Sequence, residues 1–134
     1  MSDVTVREAD PEDVDAIADV AGVPTRAAER LLRERAVRVA ERDEAVVGVL
    51  AYDADADAVH VTRLVGDTDA AAALLEEPIA FARAENLTVE VVVPESESGA
   101  LDAVTSAGFE AAGAGPRFAG ERTERYRLTP DGDE

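Results

Sequence analysis

A chain of 134 residues with 46% hydrophobic residues suits one domain with its own core, and with 4% aromatics that core must be built from Ala, Val and Leu. The formal net charge is −17 and no basic residue is a lysine, which argues against nucleic acid and anionic membrane surfaces as partners, since both are bound through cationic patches. The lack of cysteine excludes disulfides, thiolate metal sites and cysteine nucleophiles; no stretch is apolar enough to span a membrane, the start MSDVTVREAD lacks the basic region and apolar run of a signal peptide, and a cytoplasmic location is expected.

VTVREA (4–9) alternates and reads as a strand. DPEDVDAIADVAG then opens a helix, with Asp10 as N-cap, Pro11 at the first position, and Val14, Ile17, Ala18 and Ala21 as its apolar stripe. A second helix starts at Pro24 or Thr25 and turns Ala28, Leu31 and Leu32 inward. Its outer face interleaves Arg26, Arg30, Arg33 and Arg35 with Glu29 and Glu34, which reads as a solvated salt-bridge face. Three strands follow, 36–42, 45–53 and 58–65, joined by the turns RDEA and DADAD and expected to form antiparallel hairpins. DADAD mimics the start of a calcium loop, but Ala58 and Leu64 stand where that loop needs Gly and Glu, so it reads as an acidic hairpin turn.

RLVGDTDAAAALLEEP (63–78) passes from a strand end at Leu64 and Val65, through Gly66, into a helix that starts near Thr68 and ends near Asn86. Backbone N–H groups and the helix dipole favour a phosphate at such a junction. Asp67 and Asp69 bring negative charge there and can cap the orphan amides themselves. The junction therefore reads as a nucleotide or coenzyme site, a damaged one, or a plain turn. Pro78 falls inside this helix, where it removes a hydrogen bond, so a kink or a restart is expected.

TVEVVVP (88–94) is a strand whose continuous Val run suggests burial on both faces. A short helix follows, capped by Ser96 or Ser98 and stopped at Gly108. FEAAG and ERTERYRL are the last strands, and the end of the chain (129–134) is expected to be a disordered tail. NLT (86–88) matches a glycosylation acceptor without other signs of secretion. No Ser-His-Asp order and no cluster with metal-ligand spacing is present, so no metal is expected. The order is β-α-α-β-β-β-α-β-α-β-β: a mixed α/β (α+β) fold with a mixed, mostly antiparallel sheet flanked by helices.

VTVREADPEDVDAIADVA, ALLEEPIAFARAENLTVEVVV and ALDAVTSAGFEAAG, in this order and spacing, resemble the first strand and helix, the central helix and next strand, and the late helix with its Gly-Phe pair (Gly108, Phe109) of the GNAT superfamily of N-acetyltransferases. The likeness covers roughly residues 4–128. It implies acetyl-CoA as co-substrate, a small-molecule or peptide amine as acceptor, and room for a homodimer. It implies that Leu64, Val65, Gly66, Thr68, Ala70, Ala71 and Ser98 would hold the coenzyme, with the oxyanion met by a backbone N–H at Leu64 or Val65.

Two departures stand against the family pattern. Of its Arg/Gln-x-x-Gly-x-Gly/Ala pyrophosphate loop only Ala71 matches, with Asp69 and Gly66 at the other signature positions. Val104 stands where many members carry a tyrosine acid, and Glu97 where an Asn is frequent. Candidate substitutes for the acid are Tyr126, Tyr52, Ser96, Ser98 and Thr105. Candidate bases are His60, the sole histidine, Glu44, Asp53 or a water. The resemblance is thus compatible with an acetyltransferase or with a catalytically inactive GNAT-like binding or dimerisation module. The acid excess, spread along the chain, also resembles the composition of proteins from halophilic archaea, where it serves solvation in a salty cytosol.

Overall fold

The computed structural model describes residues 3–117 and 120–129. The elements are β1 (Thr5–Glu8), a 3-10 turn (Pro11–Asp13), α1 (Val14–Ala21), α2 (Thr25–Glu34), β2 (Ala36–Arg42), β3 (Ala45–Ala54), β4 (Ala58–Val65), α3 (Thr68–Glu85), β5 (Thr88–Pro94), α4 (Ser98–Ser106), β6 (Glu110–Ala114) and β7 (Thr123–Leu128). This is the expected order and the expected mixed α/β class. Beyond Thr129, the expected disordered tail lies outside the described residues.

The strands form one seven-stranded sheet in the order β1-β2-β3-β4-β5-β7-β6. Every neighbouring pair is antiparallel except β4 and β5, which run parallel. That parallel pair is required because α3 connects β4 to β5 as a crossover. Helices cover both faces. α1 and α2 bury Ile17, Ala18 and Ala28 against Val37, Val39, Val49 and Ala51. α3 and α4 bury Leu74, Leu75, Ala100, Ala103 and Val104 against Leu50, Val61, Leu64, Val89 and Val91 on the other face. β3 is therefore apolar along successive residues, since neighbours on the strand face different helix layers.

Local chemistry sets the boundaries. Asp10 caps the 3-10 turn by accepting the Glu12 N–H, and Asp13 returns a bond to the Asp10 N–H at 2.8 Å. Asn86, left-handed at φ 61, ends α3. In the acidic hairpin turn, the Asp55 carboxylate accepts the N–H groups of Asp57 and Ala58 at 2.8 and 2.9 Å.

Four local expectations need correction. β5 alternates: Val89, Val91 and Val93 are buried in the larger core, while Thr88, Glu90, Val92 and Pro94 are half-covered, so only one of its faces is fully packed. α3 runs on through Pro78 as one helix without restarting. The cap residue of α4 is Glu97, with no side-chain cap bond from Ser96 or Ser98. On α2, Arg26, Arg30 and Arg33 form no ion pair among the described residues, and Arg35 instead meets Asp53 of β3 at 2.6 Å. Exposed pairs along a helix contribute only about 0.2–0.5 kcal/mol each, too little to dictate the arrangement of these side chains.

Candidate active site

The sheet opens at one place. β4 and β5 are in register from Ala58↔Thr88 to Val61↔Val91 and then part, although β4 continues to Val65 and β5 to Pro94. The cause lies in β4. Against β3, Val61 pairs with Tyr52 and Arg63 with Ala51, leaving Thr62 as an extra residue. Such a bulge bends its strand and increases the local twist. Meanwhile β5 stays in register with β7 as far as Pro94↔Thr123. The two parts of the sheet diverge around a cavity of about 350 Å³. One wall is Thr62, Arg63, Leu64 and Val65 of β4; the other is Val92 and Pro94 of β5. Ala21 and Gly22, at the end of α1, close one side, and Ser96, Glu97, Pro116, Glu121 and Thr123 form the rest.

Leu64, Val65, Val92 and Pro94 give the strand walls their apolar part, Thr62 and Arg63 their polar part, and Glu97 at the start of α4 adds an acid. Burial raises the pKa of Glu97, the nearby Glu121 carboxylate raises it further, and the Gly66 N–H, directed at Glu97, pulls it back. Glu121 is fixed by the Ser96 N–H at 2.7 Å. Arg63, half-buried on β4, has its pKa lowered by desolvation.

At the β4–α3 turn, Gly66 has φ 147, and a side chain there would press on Ala70 Cβ at 3.1 Å and Gly48 Cα at 3.3 Å. Its glycine is explained by packing and backbone conformation. Asp67 caps α3: its Oδ1 accepts the Ala70 N–H at 2.9 Å, and Arg42 holds both its oxygens, at 2.9 and 3.3 Å. The Arg42 hydrogen bond, then the Ala70 N–H, keeps the Asp67 pKa below the ordinary value. The Ala71 N–H bonds the Asp67 carbonyl at 2.8 Å as part of the helix. α4 closes the turn from outside, since a Cβ on Gly99 would lie 2.8 Å from Asp67 C and 2.9 Å from Asp67 Cα. Of the amides at this helix start that a pyrophosphate would require, the Ala70 N–H is taken by the Asp67 carboxylate and the Ala71 N–H by the Asp67 carbonyl.

The residues singled out from the sequence are divided by this geometry. Leu64 and Val65 line the cavity. Gly66 forms the turn beside it; Ala70 and Ala71 are fully buried under the turn. The Thr68 hydroxyl faces Asp102 at 3.4 Å, and Ser98 is exposed at the start of α4. His60 is outside the cavity, on the stretch of β4 still paired with β5, between Asp55 at 3.1 Å and Glu90 at 3.5 Å. Tyr126 is on β7 opposite Val91, packed against the larger core. Val104 is fully buried. Tyr52 donates to Glu77 of α3 at 3.3 Å and is not among the residues lining the cavity. Glu97 and Glu121 emerge as the acidic groups of the cavity. For Glu97 a signal exists in the sequence, since it replaces a frequent Asn of the resembled family; for Glu121, on an irregular loop, there is none.

No protein-family profile and no curated protein sequence matches the chain. Solved structures do match in three dimensions. Ard1 from Thermoplasma volcanium superposes with a TM-score of 0.78 at 16% identity, covering 96% of this chain and 98% of that one. The ribosomal-protein-S18-alanine N-acetyltransferase from Escherichia coli gives 0.74 at 15% identity, covering 98% and 96%. A GNAT family acetyltransferase from Elizabethkingia anophelis with acetyl-CoA bound gives 0.70 at 11% identity, covering 96% and 99%. The chain carries the fold of the GNAT acetyltransferases from end to end of those structures.

Proposed function

We propose that this chain transfers an acyl group from a thioester of the acetyl-CoA type to an amine. The observation that carries the reading is the divergence of β4 and β5 after Val61↔Val91 around an apolar gap. An extended pantetheine arm suits such a gap, because the edge of β4 facing it can bond the arm's amides as an added strand would. A bound acyl thioester supplies the chemistry: the amine lone pair attacks the thioester carbonyl, a C–N bond forms, the C–S bond breaks, and the amine's proton ends on the thiol. The chain would contribute position and polarity. A backbone N–H of Leu64 or Val65 would meet the developing oxyanion. Glu97 and Glu121, against the single arginine Arg63 of the lining, would draw a cationic amine toward the cavity, where it would give up a proton to water before attacking as the neutral amine.

The fit to CoA is divided. The pantetheine half has a gap of the right character; the pyrophosphate half has no cradle at Gly66–Ala71, and no step depends on it.

The test is calorimetry with acetyl-CoA in molar KCl, followed by thiol release with a panel of amines. Heat of binding and amine-dependent thiol release are expected. No heat and no thermal shift at millimolar ligand would sink the reading. That outcome would favour a second one, a binding or dimerisation module without catalysis. The capping of the α3 amides by Asp67 supports this second reading.

A further inference from the structure

The surroundings of the α3 start bear on which donor is used, an inference that rests on the acyl-transfer reading above. The turn is filled by the chain itself. Asp67 caps the Ala70 N–H at 2.9 Å, and Arg42, which could have met a phosphate, is neutralised by the same carboxylate at 2.9 Å. Across the turn, Gly99 stands so close that a methyl group there would come within 2.9 Å of Asp67 Cα. A phosphate in hydrogen-bond contact with both sides needs about 3 Å from each, so it cannot sit between the two backbones and could meet the turn only where Asp67 and Glu97 stand. Glu97, the cap residue of α4 two positions before that contact, lines the adjoining cavity with its partly buried carboxylate, and the Gly66 N–H is among the groups that lower its pKa. The gap between β4 and β5, by contrast, is open and apolar.

We infer that the donor is recognised through its acyl-pantetheine arm alone, with the nucleotide diphosphate of acyl-CoA left in solvent and adding nothing to affinity. Asp67 and Glu97 are then specificity-determining residues. They make the site indifferent to the nucleotide by occupying its anion contacts from within.

The experiment compares dissociation constants of the full chain for acetyl-CoA and S-acetyl-pantetheine in molar KCl, with adenosine 3′,5′-bisphosphate as competitor. The two thioesters are expected to bind within about tenfold of each other, with no competition, because a portion that makes no contact contributes no binding energy. Acetyl-CoA binding more than about tenfold tighter, or displacement by the bisphosphate, would overturn the inference and leave acyl transfer standing. Failure of both thioesters to bind would remove the acyl-transfer reading and this inference with it. A second measurement uses Asp67→Gly with Glu97→Ala, which releases the Ala70 amide and removes both carboxylates from the turn. The folded double variant is expected to shift the ratio toward acetyl-CoA by about tenfold, the effect of one charge-assisted hydrogen bond. An unchanged ratio would show that these carboxylates do not set it.

Discussion

Asp13 is 8% exposed and still charged, because Arg7 meets both of its oxygens at 2.8 and 2.9 Å while also reaching Glu41 of β2 at 3.0 Å. These bonds tie β1, the 3-10 turn and β2 together. Asp13→Ala is expected to cost about 1.5–3 kcal/mol, the range for hydrogen bonds to charged groups, measured by urea unfolding at neutral pH. Its pH dependence follows from the direction of the shift. The Arg7 hydrogen bond holds the Asp13 pKa below its ordinary value. The contribution is therefore present above the unfolded carboxylate pKa of about 3.9 and is lost as pH falls through the lower folded value, so parent and variant should converge in acid. Glu97 has the opposite sign. Its pKa is raised, chiefly by burial, so ionising it opposes folding once pH rises above its unfolded pKa. Glu97→Gln keeps an acceptor for the Gly66 N–H and removes that cost. The variant should melt at or above the parent temperature at pH 7, with the difference fading toward pH 4. A clear loss of stability at pH 7 would contradict this account of the cavity.

At the scale of elements, α4 and the β4–α3 turn act as one unit through Gly99. Gly99→Ala puts a methyl group within 2.9 Å of Asp67 backbone atoms, where neither side can yield without moving α4. Overpacking of this kind costs typically about 1–3 kcal/mol, and a denaturation midpoint unchanged by the substitution would mean that α4 and the turn are not held rigidly together. The sequence makes most of the elements legible, for physical reasons. Asp10-Pro11 is a helix start that needs no tertiary partner, and Asp67 satisfies its own helix. Even the bulge that opens the site has a trace: Val61 and Leu64 are both buried, separated by the two polar residues Thr62 and Arg63, one more than alternation allows. Other features are invisible because they are made by distant contacts. The cap position of α4 falls on Glu97 without any side-chain cap bond, so no local signal distinguishes it from Ser96 or Ser98. The half-exposure of the second face of β5 depends on what packs over it, which a run of valines does not encode. Residue type points to His60 and Tyr126 as candidates for chemistry, but it carries no information on which side of a seven-stranded sheet they fall.

At the scale of the whole molecule, charge governs the conditions under which the fold is stable. A formal net charge of −17 on a chain of 14.1 kDa places carboxylates near one another over most of the surface. Mutual repulsion favours the unfolded chain, where those charges separate. Salt also weakens attractive pairs, such as Arg35–Asp53 and Arg127–Glu90, both with arginines more than one-third exposed. Exposed pairs of this kind each contribute at most about 1 kcal/mol, so screening the repulsion should prevail. The melting temperature is therefore expected to rise from dilute buffer to molar KCl. Two causes of such a rise have different shapes. The Debye length falls from about 30 Å at 0.01 M to about 10 Å at 0.1 M and about 3 Å at 1 M, so relief of repulsion should be largely complete within the first few tenths molar. Strengthened burial of apolar surface instead continues to grow with added salt. A melting curve series in KCl should rise steeply at first and then flatten, and a variant in which several exposed Asp and Glu are replaced by Asn and Gln should lose the steep part. Equal stability at all concentrations would count against reading the acid excess as an adaptation to a salty cytosol.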